Sequence, residues 1–143
     1  MLVYRKLLMA KKLKKLVDAY HVGNYRTKYV DLNLWFDILN NMLFQNRVPP
    51  FRYYHIQRMK DCVGCVVYED KPKKDKWMDL YILPKFKDFN TFVEVLAHEM
   101  VHAYQYWITK DSCNHNENFY RWRQKFRSAG IKLSLTVDNM EIK

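Results

Sequence analysis

The chain has 143 residues, of which 49% are hydrophobic, and it carries a formal net charge of +10. This length and apolar fraction suffice for one hydrophobic core, so we expect a single domain spanning residues 1–143. No stretch approaches the roughly 18 consecutive apolar residues of a membrane-spanning helix, which excludes a membrane span. The three cysteines fit no disulfide framework, and no secretory signal is visible. We therefore predict an intracellular protein in the cytoplasm or nucleus, or in the host cytoplasm if it is viral.

Residues 1–20 predict a basic amphipathic helix. Residues 1–30 hold eight Lys and Arg against one Asp, so +7 of the net charge lies there and +3 in the remainder. A solvated face that keeps the domain soluble, a nucleic-acid contact and a membrane-surface helix all fit this pattern. For the nucleic-acid interpretation, the candidate contacts in this helix are Lys11, Lys12, Lys14 and Lys15.

The middle of the chain predicts a packing helix and then three strands. The helix is expected to be capped by Asp31 or Asn33 and to stop before Pro49. Alternating and β-branched stretches follow, and we expect them to form a small antiparallel sheet with meander connections. The three stretches are 54–59, 64–68 and 77–83.

Cys62 and Cys65 form one C-x-x-C pair within the predicted sheet region. A structural zinc site needs a second such pair, and Cys113 alone does not complete it. We therefore interpret these cysteines as structural thiols. His55 lies in the middle of a predicted strand, where a packing or surface role is more common than metal binding.

The candidate catalytic and metal-binding residues lie between Thr91 and His115. The sequence Thr91–Glu94 is typical of a capping box, and the apolar residues that follow predict a buried helix without Gly or Pro. His98 and His102 stand four positions apart on one face of this helix, a spacing that can bind a single Zn²⁺. Glu99, between them, lies close enough to act on a water at the metal. Buried polar groups of this kind need partners, and a metal would supply them.

A catalytic zinc ion needs a third protein ligand, and His115 is the candidate. It lies thirteen residues past His102, beyond the polar segment 110–114 and at the start of another apolar-periodic segment. A helix, a turn and a histidine at the next helix start would return this side chain to the first two histidines. The alternative is two core histidines and one surface histidine. Arg121 and Arg123 in the last segment are either a solvated face or a second basic contact for DNA.

With these residues identified, the stretch 32–130 resembles the SprT-like zinc metalloprotease domain, the family of the Spartan-type DNA-dependent proteases. The most specific match is the run from His98 to Tyr104. Two departures occur after the third histidine, where Asn116 and Asn118 replace the usual Gly and Glu. Since Asn tolerates the left-handed backbone conformation, we expect Asn116 to substitute for the glycine. The four-cysteine zinc ribbon that many members carry does not occur in these residues. Further matching positions are Leu34, Leu39, Asn40, Leu43, Phe44, Pro49, 64–68 and Phe119.

Together, the residues and the resemblance predict an α+β, zincin-like fold with packing helices, a small antiparallel three-stranded sheet and an active-site helix. We expect one Zn²⁺ per chain on His98, His102 and His115, with Glu99 as the general base of peptide-bond hydrolysis. The resemblance implies cleavage of DNA-bound or DNA-crosslinked proteins, with DNA bound through non-specific phosphate contacts. Two alternatives remain: a zinc peptidase without DNA dependence, and a DNA-binding or interaction module with a structural metal. A structural site has no use for the base Glu99.

Overall fold

A computed structural model describes residues 12–69 and 75–134 of the chain, so Lys11 lies outside the described residues. Helices and two small sheets alternate along the chain, which confirms the α+β class. None of the helices in this part of the chain has the length and apolarity to cross a membrane. In chain order, the elements are helix α1 seen over residues 12–20, β1 (Tyr25–Arg26), α2 (Tyr29–Phe44), β2 (Tyr54–Ile56), β3 (Gly64–Tyr68), β4 (Met78–Ile82), β5 (Lys85–Phe86), α3 (Phe89–Tyr104), a π-helical turn (Gln105–Thr109), α4 (Glu117–Tyr120) and α5 (Trp122–Ser128).

The three-stranded sheet is mixed, so the prediction of an antiparallel meander is wrong. Its order is β2-β4-β3, with β3 antiparallel and β2 parallel to the central strand. The connection between β2 and β3 passes the end of β4, where the Gln57 N–H donates to Ile82 O and the Leu83 N–H donates to Val63 O. This path leaves room for β4 between the two earlier strands. Strands β1 and β5 form a separate antiparallel pair.

A hydrogen bond to a buried carboxylate links helix α1 to helix α2. The N-cap of α2 is Lys28 rather than the predicted Asp31 or Asn33. Asp31 is buried in the first turn, where it accepts hydrogen bonds from the hydroxyls of Tyr20 at 2.6 Å and Tyr25 at 2.5 Å. Burial together with the bond to Asp31 raises the pKa of Tyr25 well above its ordinary value. Both tyrosines therefore stay protonated and keep donating throughout the physiological range.

Helix α3 forms the centre of the core. Twelve of its sixteen residues are buried, in agreement with the run of apolar side chains. The helix begins at Phe89, earlier than the predicted capping box, because the Asp88 carboxylate accepts the Thr91 N–H at 2.8 Å. Glu94, expected to complete that box, instead accepts the Lys132 N–H at 2.7 Å. The apolar faces of α2 and β3 pack against α3 and fix its position.

Candidate metal centre

Three polar side chains of α3 lie within the apolar core. His98 and Glu99 are 0% exposed, and His102 is 2% exposed. Burying a polar side chain is costly unless it is paired or binds a metal. The fold therefore holds the two imidazoles and the carboxylate at a position that a purely structural helix would fill with apolar residues.

The loop after the π-helical turn returns His115 to α3. Lys110 ends the turn in the left-handed conformation with φ of 54°, and the Asp111 N–H donates to Gln105 O at 3.1 Å. Nε2 of His115 then lies 3.3 Å from Nε2 of His98. One ring nitrogen from each of His98, His102 and His115 lies within 4.8 Å of the others. Among residues 12–69 and 75–134, this is the group of His, Cys, Asp or Glu side chains that could hold a metal ion.

The separation of the His98 and His115 nitrogens fits two ligands of one tetrahedral ion. Two nitrogens about 2.0–2.1 Å from a tetrahedral Zn²⁺ lie about 3.3 Å apart. The His98–His115 distance of 3.3 Å has this value. All three donors are imidazoles, which suit zinc and other first-row transition metals. The donor set and the spacing thus fit a mononuclear metal with three protein ligands.

The ring of Phe119 packs against all three imidazoles. Its ring is fully buried, and its centroid lies 4.9 Å from that of His98, 5.0 Å from that of His102 and 4.5 Å from that of His115. One aromatic side chain therefore contacts every histidine of the cluster. From the sequence, Phe119 was only an apolar helix residue and one of the positions of the resemblance. The available signal was an aromatic residue four positions after His115 in the sequence.

Gln105 connects His102 to the loop of the third histidine, and the sequence analysis missed it. Its Oε1 lies 2.8 Å from Nδ1 of His102. Its Nε2 donates to the backbone oxygen of Asn114 at 3.0 Å and to Oδ1 of Asn116 at 3.1 Å. The available signal was a polar residue three positions past His102 on a helix that is otherwise buried. Such a position shares the face of the histidine.

The two asparagines after His115 have structural roles. Asn116 has φ of −88° and ψ of −170°, so the expectation that it adopts the left-handed conformation in place of glycine is wrong. It is the N-cap of α4, and N-cap residues take an extended backbone. Its side-chain oxygen accepts the Phe119 N–H at 3.1 Å. Asn118 donates from its side chain to Asp111, which ties α4 to the loop before His115.

Gly64 allows strand β3 to approach α3 beside Glu99. A Cβ atom added at Gly64 would lie 2.6 Å from Cγ1 of Val95 and 3.4 Å from Cγ of Glu99. Real Cβ atoms essentially never come as close as 2.6 Å to another heavy atom. A glycine is therefore needed here for close approach. The carboxylate of Glu99 in turn has Oε2 3.8 Å from Nε2 of His98, on the side of the histidine cluster.

The other candidate residues lie apart from the histidine cluster. His55 is 3.1 Å from Asp79 and stacks on Tyr81 with ring centroids 4.2 Å apart. Sγ of Cys62 lies 3.5 Å from Sδ of Met59, and Sγ of Cys65 lies 3.9 Å from it.

The basic candidates lie on the surface to different degrees. Lys12, Lys15, Arg121 and Arg123 are exposed. Lys14 is partly covered, and its Nζ lies 3.0 Å from Asp18 and 3.3 Å from Asn90. Lys14 is therefore a packing residue as well as a surface cation, and it is the least suited of these to contact a phosphate.

A buried helix that supplies histidines to a cluster able to hold a metal ion is typical of metal-dependent proteins. The model of the SprT-like family matches residues 32–139, and the chain belongs to this family. Its domains are generally of the metalloprotease type. This result confirms the resemblance seen in the sequence. A comparison with curated proteins gave no significant match.

Proposed function

We propose that this protein is a zinc-dependent metalloprotease, with His98, His102 and His115 as the metal ligands. The observation that carries the proposal is the 3.3 Å separation of two imidazole nitrogens beside a buried glutamate. Zinc held by these three imidazoles would lower the pKa of a bound water to about 7 and would polarise a substrate carbonyl. A structural zinc site usually has four protein ligands and would not need the glutamate, whereas three histidines would leave a fourth position for water.

Glu99 is the proposed proton carrier. Its carboxylate is fully buried and lies on the side of the histidine cluster, 3.8 Å from His98 Nε2. From this position it takes a proton from the attacking water and later delivers it to the leaving amine. Gly64 places the backbone of β3 beside this side chain, where a Cβ atom would lie only 3.4 Å from Cγ of Glu99, so a larger residue at this position would crowd the proposed base.

Strand β3 is the proposed binding site for the peptide. Among residues 12–69 and 75–134 it is an edge strand of the three-stranded sheet, so one side of its backbone can pair with an extended chain. Its Gly64 end lies against Glu99, and its Tyr68 end borders a cavity of about 600 Å³. Lys76, Tyr106 and the segment 110–114 also line that cavity. Because backbone pairing reads little side-chain sequence, this arrangement suits an enzyme that selects its substrates by context.

The proposed substrates are DNA-bound or DNA-crosslinked proteins. The resemblance to the DNA-dependent proteases supports this, as does the concentration of charge in residues 1–30. Lys12 and Lys15 are exposed on α1, where they can reach phosphates, and Leu13 and Val17 are buried on its other face. Binding by such contacts is independent of sequence and falls steeply with salt, with a log–log slope of about −0.7 to −0.9 per phosphate. DNA would stimulate cleavage by bringing the enzyme and its substrate together.

The test is a protease assay on a DNA-binding substrate, with zinc, in the presence and absence of single- and double-stranded DNA. We expect DNA-stimulated cleavage by the wild type. The variant Lys12→Glu/Lys15→Glu should keep its activity on a short free peptide and lose the stimulation. The matched control Lys85→Glu/Lys87→Glu makes the same change in charge at two exposed positions outside α1, one in β5 and one just after it, and should keep the stimulation.

Each contrary result supports another function. If zinc-dependent cleavage occurs but the wild type binds no DNA even at low salt, the protein is a peptidase without DNA dependence. If DNA binds and no cleavage occurs, the binding module with a structural metal is the better description. If stimulation survives in the Lys12→Glu/Lys15→Glu variant, α1 is a solvated face, and Arg121 and Arg123 become the residues to change.

A further inference from the structure

Gln105 is buried, so its side-chain amide needs hydrogen-bond partners within the protein. It follows α3 directly, opens the π-helical turn and is only 1% exposed. π-Helical turns within helices occur frequently at functional sites. The Gln105 carbonyl accepts the N–H groups of Lys110 and Asp111, so the backbone of this residue ends the turn. Its side chain points to the histidine cluster, where it contacts His102.

The hydrogen bonds of the side chain determine its orientation. Nε2 faces the backbone oxygen of Asn114, which can only accept. It also faces Oδ1 of Asn116, which accepts the Phe119 N–H and is therefore the amide oxygen. Both N–H groups of the Gln105 amide are used in this way. The opposite orientation would place the amide oxygen against two acceptors.

The orientation of the amide determines the tautomer of His102. Oε1 of Gln105 lies 2.8 Å from His102 Nδ1 and can only accept a hydrogen bond. Nδ1 of the neutral imidazole must then carry the hydrogen, which leaves the lone pair on Nε2. A histidine can bind a metal only through the nitrogen that has the lone pair.

We propose that Gln105 is a positioning residue that holds His102 in the Nδ1–H tautomer and ties the segment beside His115 to the end of α3. One amide thus acts on two of the three histidines, through Nδ1 of His102 and through Asn114 and Asn116 on either side of His115. The part that concerns the metal rests on the proposed function. The part that concerns the tautomer is a property of the metal-free protein.

Three variants separate these effects. Gln105→Met has a similar volume and removes both the acceptor and the two donors. Gln105→Glu keeps an acceptor for His102 and removes both donors to the loop. Gln124→Met makes the same Gln-to-Met substitution at an exposed position of α5 and serves as the control.

The first measurement is the tautomer of His102 in the metal-free protein, from long-range ¹H–¹⁵N correlation spectra at about pH 8, where an unperturbed imidazole is neutral. Wild type, Gln124→Met and Gln105→Glu should show the Nδ1–H form. Gln105→Met should show a mixture of both forms. If Gln105→Met keeps the wild-type tautomer, or if Gln105→Glu loses it, Oε1 does not control the ring and the inference is overturned.

The second measurement is the zinc dissociation constant, by competition with a chromogenic chelator. Loss of a hydrogen-bond partner of a ligand typically weakens metal binding about 10–100-fold, and we expect this for Gln105→Met. An affinity within about twofold of the wild type would contradict the positioning role. If the wild type binds no zinc, the proposed function fails, and the spectra still decide the tautomer. If Gln105→Met does not fold, the Gln105→Glu spectra provide the test.

Discussion

The close approach of β3 to α3 makes a quantitative prediction at Gly64. In Gly64→Ala the new methyl group would lie 2.6 Å from Cγ1 of Val95, which has to move. Val95 is buried on a central helix, and overpacking of this kind costs about 1–3 kcal/mol. The reduced chain entropy of the unfolded state offsets about 0.4–1 kcal/mol. We expect a net loss of about 1–2 kcal/mol in the free energy of unfolding, measured by urea denaturation.

A double-mutant cycle identifies the cause of this loss. Val95→Ala removes the atom that the new methyl group meets, so Gly64→Ala/Val95→Ala should be more stable than the sum of the single changes by about 1–2 kcal/mol. Gly23→Ala is the control. Gly23 has φ of 85° and no atom within 4 Å of the added Cβ, so its cost is conformational and should add to that of Val95→Ala. Strictly additive energies for Gly64 and Val95 would refute the steric argument.

Further predictions concern the metal and the start of α3. Metal analysis of the wild type should find one equivalent of zinc, and His115→Ala should lose most of it; full retention would mean that another residue is the third ligand. Replacement of Cys62 and Cys65 by Ser should leave zinc at one equivalent, and a second zinc in the wild type would contradict this. Asp88→Ala should cost about 1 kcal/mol at neutral pH by thermal unfolding, as for other N-caps. The hydrogen bonds from Thr91 lower the pKa of the Asp88 carboxyl, so its contribution is complete above the unfolded-state pKa of about 4 and is lost as the pH falls through the lower folded-state pKa. An equal cost for Asp88→Ala at all pH values would contradict the role of the carboxylate.

The features that depend on the local sequence pattern, such as residue spacing and apolar runs, were predictable. The spacing of His98, Glu99 and His102 determines their relation on any helix, and the run of apolar residues around them indicates burial. The resemblance, which the family model confirms, rests on the same residues. Strand β3 was predicted with the bounds that it has, since β-branched residues and Gly64 mark it out.

Features that depend on contacts between distant residues were not predictable. Alternation identifies a strand but not its neighbours, so the insertion of β4 between β2 and β3 was missed. The role of Gln105 arises only when the loop returns Asn114 and Asn116 to the end of α3. In each case a tertiary contact decides between options that local propensity leaves open.

The proteolytic activity of Glu99→Gln tests the central claim most directly. The substitution removes the proposed base, keeps the side-chain volume and leaves the three histidines intact. We expect one equivalent of zinc and a decrease in peptide hydrolysis of about 10²-fold or more. Glu94→Gln makes the same change on the same helix and should retain activity. Full hydrolysis by Glu99→Gln, with zinc retained, would contradict the proposed mechanism.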